Sequence, residues 1–465
     1  MTSETVPGAI ERRAIDPIPE SERHGRPAAL FTLWFSANMQ MTTVATGLVA
    51  TALGLGLGSG LLAIVLGNVV GGLFMAYHAA QGPKLGIPQM IQSRAQFGVA
   101  GANLPVALVI VLYVGFFTLS AILGGEAAAA LFGVSKAAGV VIVDALAFVL
   151  LAFGYDQIHR YERYVALVFL LVFGAVTIAL LSRYHAMPAV HAKAASPAMV
   201  VLGISIFATW QITYAPYVAD YSRYLPADTS FLRSSAHTYL GSVLASIWMM
   251  SLGLLAGLVA NKAANADTTL FFAGLLGPGL RWLMLVVIML GIVGANVLNL
   301  YGAAMSTGTI LTAGGDTTLA RAVLARGSAL RIGVGAAIAV IGTALAVLAS
   351  GSFVDGMTNF LLLLLYVFVP WTAINLTDFY LVRQGSYDIG AIYDPAGIYR
   401  RINWSTMAIY AVGILVEIPF MNAELYEGPI ARALGGADIS WLVGLVVSGA
   451  LYFAVNRARR VAAAA

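Results

Sequence analysis

The chain has 465 residues, 60% of them hydrophobic and only 10% charged, with a mean hydropathy of +0.86. A soluble domain carries about a quarter charged residues, so this composition excludes an ordinary soluble protein and implies many membrane spans. A net charge of +4 requires no nucleic-acid partner, because the basic residues sit in short loops, and the absence of cysteine excludes disulfides, thiolate metal sites and cysteine nucleophiles.

Residues 1–27 are polar and mixed in charge, with Glu11, Arg12, Arg13, Asp16, Glu20, Glu22 and Arg23. They lack the basic start, apolar run and cleavage site of a signal peptide and read as a cytoplasmic tail. Twelve transmembrane helices are predicted: α1 over 28–54, α2 over 58–80, α3 over 103–132, α4 over 137–154, α5 over 161–182, α6 over 197–218, α7 over 237–260, α8 over 280–312, α9 over 330–350, α10 over 357–382, α11 over 405–424 and α12 over 439–456. With the N-terminus inside, nineteen of the 25 Lys and Arg residues fall on the cytoplasmic side, and six (Lys136, Arg183, Lys193, Lys262, Arg281, Arg432) fall on the other. This bias predicts a multi-pass protein of the cell membrane with both termini cytoplasmic, closing in a tail over 457–465. The loops are short and hold no Gly-x-x-x-x-Gly-Lys-Ser/Thr phosphate loop, so an ion gradient is the expected energy source.

The first polar interruption lies in α1, at Leu33-Trp34-Phe35-Ser36-Ala37-Asn38-Met39-Gln40-Met41-Thr42-Thr43. Such a break is costly in lipid and is tolerated where it lines a protein-enclosed cavity. Gln40 offers two donors and an acceptor to an amide or ring-nitrogen edge, or it bridges helices. In α2, Gly56-x-x-x-Gly60 and Gly67-x-x-x-Gly71 read as packing faces, and His78 reads as interfacial. In α3, Tyr113, Phe116 and Phe117 are either packing or the faces that hold a planar ligand. Glu126 of α3, Asp144 of α4 and Glu417 of α11 are intramembrane carboxyls, and Glu126 is the best placed for a proton relay.

α6 repeats the pattern of α1, with Thr209-Trp210-Gln211 following Phe207 and with Pro216 beyond. Five helices separate the two breaks, which suits a 5+5 inverted repeat unwound at α1 and α6. In α8, Asn296 and Asn299 are three apart and share a face, for a polar cavity or for interhelical bonding. Asp220 and Asp378 are expected to pair with Arg223 and Arg383. No metal spacing or nucleophile elbow occurs, so no enzyme is expected.

These residues resemble the nucleobase:cation symporter family in its purine–cytosine permease branch. The resemblance is carried by Ile10-Glu11-Arg12-Arg13, the α1 segment, Gln81–Met90, Ser93–Gly98, Asp220–Pro226, Asn296–Tyr301, Pro370-Trp371-Thr372 and Asp378-Phe379-Tyr380. It implies an all-α polytopic membrane protein of the leucine-transporter type. The first five-helix repeat would cover 28–182, the second 197–382, and two peripheral helices 405–456. Against a hydantoin-carrying member, Gln40 matches a substrate-contacting glutamine and Tyr113 a stacking tryptophan. A second stacking tryptophan falls on Trp210 or Gln211, and a substrate asparagine matches Asn299. Phe117 replaces a glutamine contact, so the substrate is expected to differ. That member's sodium site matches the Ser36 and Met39 carbonyls and positions Gly291, Gly294 and Ala295, where two hydroxyls are gone. Proton coupling, known in fungal members, therefore gains weight over sodium.

The expectation is a secondary carrier importing cytosine or a purine with H+ or Na+. The expected substrate contacts are Gln40, Tyr113, Phe117, Trp210, Gln211, Asn296 and Asn299. No cofactor, no metal beyond a sodium ion and no nucleic-acid partner are expected, and one chain in the bilayer suffices. The alternatives are a carrier of allantoin, hydantoin or a vitamin, and an uncoupled nucleobase channel or sensor.

Overall fold

Lipid offers backbone N–H and C=O groups no water, so apolar stretches satisfy them internally as helices. The structure is a computed structural model that describes residues 15–187, 195–313, 327–349 and 353–464. The Ile10–Arg13 stretch, Lys193, Arg321 and Arg326 lie outside the described residues. Among those described, nine helices are long and apolar enough to cross a membrane: Leu57–Leu85, Asn103–Phe132, Lys136–Phe153, Arg160–His185, Phe231–Ala266, Pro278–Leu311, Gly327–Leu348, Phe353–Val382 and Ser440–Arg457. They fall on α2–α5, α7–α10 and α12. Three shorter apolar helices, Met41–Ala52, Pro197–Ile212 and Trp404–Phe420, fall within α1, α6 and α11.

Both expected interruptions appear as breaks in the helix. α1 runs over Pro27–Asn38, opens at Met39 and Gln40, and resumes over Met41–Gly47 and Val49–Ala52. α6 stops at Ile212, passes through a turn containing Pro216, and resumes over Val218–Ser222. Proline has no N–H to give a continuing helix, which fixes the interruption there.

Several boundaries differ from the sequence reading. α5 begins at Tyr155. α7 spans Phe231–Ala266 with a kink at Ala260, and a short helix over Thr268–Gly274 follows it. α10 ends in wider π-type turns over Thr377–Val382. α11 gives way after Glu417 to a tight turn and a small antiparallel hairpin, β1 (Asn422–Ala423) with β2 (Tyr426–Glu427), where helix was expected to residue 424. α12 continues as helix to Ala464, through the expected tail.

The helices pack in two groups. α7 packs heavily on α1 and α2, and α2 on α6, while α3 packs most on α8 and also on α4 and α9. Gly67 and Gly71 of α2 face α6, as expected of small-residue packing. Closer still, a Cβ on Gly47 would lie 2.0 Å from the Met250 carbonyl oxygen, and one on Gly253 would lie 1.9 Å from the Val44 carbonyl oxygen. The second half of α1 therefore meets α7 backbone to backbone.

The end of the bundle that carries residues 81–102 and 383–403 is densely hydrogen-bonded. Residues 15–25 do not trail away from it. Ile15 and Ile18 are buried, Ile18 N–H donates to the Gly86 carbonyl at 2.8 Å, and Arg23 Nη1 donates to that of Pro83 at 2.7 Å. His78, expected at an interface, is buried and stacked on Trp371 with ring centroids 4.9 Å apart. Asp378 pairs with Arg383 Nε at 3.2 Å and also accepts from Gln96, Tyr387 and Tyr452. Asp220 Oδ1 accepts Gln89 N–H, and Arg223 Nε donates to the Asp220 backbone carbonyl.

Candidate functional site

The break in α1 leaves the first amides of Met41–Gly47 without helical partners. Gln40 answers this itself: Oε1 accepts Thr42 N–H at 2.6 Å, and Nε2 donates to Thr43 Oγ1 at 3.1 Å. One Nε2 hydrogen is left over for another acceptor. Asn38, on the other side of the break, ties three helices together. Its Oδ1 accepts from Trp210 Nε1, Tyr214 OH and Ser246 Oγ at 2.8, 2.9 and 2.8 Å. Its Nδ2 donates to the Trp34 carbonyl and to Ser242 Oγ. The two broken helices are thereby fastened at their unwound ends, and α7 closes the network.

Between the breaks lies a small chamber whose walls include Gln40 of α1, Phe116 of α3, Trp210 and Tyr217 of α6, and Ala295 and Asn299 of α8. Its free space is about 30 Å³, enough for a water or two and too little for a six-membered ring. Phe116 and Trp210 meet edge to face, 5.6 Å apart. The chamber is mostly aromatic, with amides at two positions, an arrangement suited to a flat polar heterocycle.

The structure brings together only part of the residue set expected from the sequence. Gln40, Trp210 and Asn299 line the chamber. Tyr113 lies one layer behind it, 5.2 Å from the Tyr217 ring, with its hydroxyl against Gly302. Three expectations are corrected. The Phe117 ring packs on Gly342 of α9, and its neighbour Phe116 takes the place at the wall. Gln211 points to α2 and α7, where Nε2 donates to Asn68 Oδ1 and Ser246 Oγ and Oε1 accepts from Ser242 Oγ. Asn296 donates to Asp144 Oδ1 at 3.1 Å and to the Phe117 carbonyl, so it braces α3 and α4.

The positions expected to hold a cation converge, but on a side chain the sequence reading passed over. Gly291 lies against Gln40, with Met39 O close by, and Ala295 faces the chamber. Ser36 and Gly294 both face the carboxyl of Glu162, which enters from α5. A Cβ on Gly294 would lie 2.5 Å from Glu162 Oε1, so the carboxyl occupies the space a side chain there would need. Glu162 is 2% exposed, and neither its Oε1 nor Ser36 Oγ has a hydrogen-bond partner.

The other carboxyls stand elsewhere. Glu126 pairs with the exposed Lys136 at 2.9 Å, near the C-terminal end of α3 and away from the chamber, which removes the reason to give it a relay role. Asp144 is held by Asn296 and by Thr343 Oγ1 at 2.7 Å, a brace between α4, α8 and α9. Glu417 is buried against Gly444 of α12, outside the core of broken helices.

Comparison with known proteins fits this arrangement. Residues 17–444 match the family described as "Permease for cytosine/purines, uracil, thiamine, allantoin". The chain is 41% identical over 451 residues to YxlA of Bacillus subtilis, provisionally named a purine-cytosine permease; the match covers 97% of this chain and 96% of that one. It is 24% identical over 471 residues to the purine-cytosine permease fcyB of Emericella nidulans, covering 96% and 88% respectively. Its fold is shared with Mhp1, a nucleobase-cation-symport-1 family transporter solved in a closed conformation with bromovinylhydantoin bound. The TM-score is 0.77 at 20% identity, over 96% of this chain and 94% of that one.

Proposed function

The chain belongs to this family of permeases for cytosine, purines and related compounds, and on that premise we propose that it imports a nucleobase, cytosine or a purine, together with a proton. It is a multi-pass membrane transporter and not an enzyme. The observation that carries the substrate reading is the chamber where the breaks of α1 and α6 meet. A flat base would enter by parting Phe116 and Trp210, with Tyr217 beside them. Asn299 and the spare Nε2 hydrogen of Gln40 would meet its ring and exocyclic atoms.

In this reading the chain crosses the bilayer twelve times. Residues 28–182 and 197–382 form two inverted repeats, α11 and α12 are peripheral, and both termini are cytoplasmic. The matched positions of the two breaks support the repeat, and the loop charge bias supports the orientation. Alternating access would expose the chamber to each side in turn, and a single chain holds all the groups named. A proton is favoured over sodium because Gly291, Gly294 and Ala295 lack the hydroxyls matched from the sodium-coupled relative, and the side-chain oxygens beside them are those of Ser36 and of the Glu162 carboxyl, which can itself take up a proton.

The test is the melting temperature of the purified protein with cytosine, adenine, hypoxanthine, allantoin, hydantoin or pyridoxine, followed by uptake of the stabilising compound into vesicles. Cytosine or a purine is expected to stabilise, and accumulation is expected to follow an imposed pH gradient and to ignore replacement of sodium by choline. Asn299→Ala and Gln40→Ala should each weaken binding about tenfold, as loss of a hydrogen bond to a sequestered ligand does. Stabilisation by allantoin, hydantoin or pyridoxine alone would overturn the nucleobase assignment. Uptake that never exceeds the external concentration would overturn coupled transport.

A further inference from the structure

α4 and α9 lie side by side, in close contact at one end and parted toward the other. Gly335 of α9 lies against Leu151 of α4, where a Cβ would come within 2.1 Å of Leu151 Cδ2. From there toward Lys136 the facing positions include Ala145, Ala336, Ala339 and Ala344, and these short side chains leave a groove with a free space of about 530 Å³. Val340 and Val347 at its rim are exposed. Its floor is polar at one point, where Thr343 Oγ1 donates to Asp144 Oδ2 at 2.7 Å. At Val347 the groove meets a second space of about 460 Å³, walled by Ile122 and Glu126 of α3 and by Lys136 and Val140 of α4. Both spaces have the size of small-ligand sites, roughly 300–1,000 Å³, and the chamber between the broken helices does not.

Dimensions and charge say what fits. From Lys136 to Phe148 the groove follows α4 for about 18 Å, at 1.5 Å per residue. That is close to one leaflet's share of a hydrocarbon core about 30 Å thick. An acyl chain gains little by leaving bulk lipid for an equally apolar groove, so the groove alone selects nothing. The selecting groups stand at its end. Glu126 Oε1 and Lys136 Nζ are 2.9 Å apart, and the Lys136 side chain is 69% exposed. A pair this open contributes little by itself, so it parts readily to take a group of opposite charge on each side. Asp267 stands near both, so carboxylates outnumber cations around this space among the described residues. A purely anionic head group is repelled there. A head group with an ammonium and a phosphate gives each side chain a partner, and a trimethylated amine has no N–H to donate to Glu126.

We propose that the groove between α4 and α9 holds one phosphatidylethanolamine molecule, with its ammonium on Glu126, its phosphate on Lys136 and an acyl chain laid along α4 toward Phe148. The ammonium donates to the Glu126 carboxylate, and a phosphate oxygen accepts from Lys136 Nζ. The chain covers the Asp144–Thr343 hydrogen bond and fills the gap that the alanines leave. This inference stands apart from the transport reading, since it needs neither a given substrate nor a coupling ion.

The test is native mass spectrometry of the full-length protein, released from micelles that hold equal amounts of phosphatidylethanolamine, phosphatidylcholine and phosphatidylglycerol with matched acyl chains. The wild type should retain one phosphatidylethanolamine, about tenfold over either competitor, as a charge-assisted hydrogen bond to a sheltered carboxylate implies. Glu126→Gln keeps the shape and removes the charge, and it should retain phosphatidylethanolamine and phosphatidylcholine alike. Ala145→Trp fills the groove from its exposed side and should abolish retention with the charged pair intact. Equal retention of the three lipids by the wild type overturns the proposal, and so does a preference for phosphatidylglycerol. A phosphatidylethanolamine preference that survives in both variants overturns it as well.

A second readout is the melting temperature in vesicles of phosphatidylcholine, with and without added phosphatidylethanolamine. The added lipid should raise the melting temperature of the wild type and leave those of Glu126→Gln and Ala145→Trp where they were. A rise of the same size in all three proteins would be a property of the bilayer rather than of a site, and it overturns the proposal.

Discussion

The indole N–H of Trp210 donates to Asn38 Oδ1 at 2.8 Å, so the aromatic wall on α6 is fastened to the break in α1. One amide oxygen thereby fixes the rotamer of a chamber residue while also taking hydrogen bonds from Tyr214 and Ser246. Asn38→Ala strands three buried donors, each worth about 1–3 kcal/mol when left unsatisfied. The variant should melt well below the wild type in detergent and should lose base binding, since Trp210 is no longer held. Thermal denaturation and ligand titration of the same preparation check both effects. Unchanged melting would show that the network adds nothing to the fold.

Phe116 and Phe117 are adjacent, and they separate binding from stability. Phe116→Ala removes a wall of the chamber and should weaken binding about tenfold, with a small change in melting. Phe117→Ala leaves a hole against Gly342 and should cost about 3–5 kcal/mol, with base affinity largely kept in the folded fraction. Melting and equilibrium binding of the two variants, measured side by side, decide the matter. The reverse pattern would return Phe117 to the site.

Gly47 and Gly253 leave no room for a methyl group. Gly47→Ala or Gly253→Ala forces a carbonyl to withdraw from contacts of 2.0 and 1.9 Å, which pushes α1 away from α7. Overpacking of this kind costs about 1–3 kcal/mol or more, and here the obstacle is backbone, which yields little. Lower melting is expected from either variant. The double variant should cost less than the two single costs added together, since both act on one crossing. Full additivity in a double-mutant cycle would show the two contacts to be independent.

What the sequence reveals and what it hides follow from physics that can be named. Amide groups inside an apolar stretch have few explanations in lipid, so Gln40 and Asn299, which line the chamber, could be singled out by inspection, and Trp210 by the matching break in α6. Which of two neighbouring residues faces a cavity is harder, because successive residues on a helix point about 100° apart and the choice depends on the partner helix. Phe117 turns to α9 because Gly342 leaves it space there, and Gln211 turns to α2 and α7 because Asn68, Ser242 and Ser246 satisfy its amide. Neither neighbour can be inferred from the local sequence.

Glu162 is the clearer omission. Arg160-Tyr161-Glu162-Arg163 reads as the charged mouth of a helix, and Arg160 and Arg163 are indeed exposed. Glu162 is buried because a residue on α8 lacks a side chain, a relation between two distant parts of the chain. A signal was present: Gly291, Gly294 and Ala295 bring no oxygen to a place where positive charge was expected. Oxygen missing from one helix is a reason to search the others for a carboxyl.

The size of the chamber bears on selection. Its space holds a water or two but no six-membered ring, so under the proposed function a base has to part Phe116 from Trp210 to make the room it occupies. In that reading the rigid breadth of the ring would act as the key, ahead of any hydrogen bond it makes once inside.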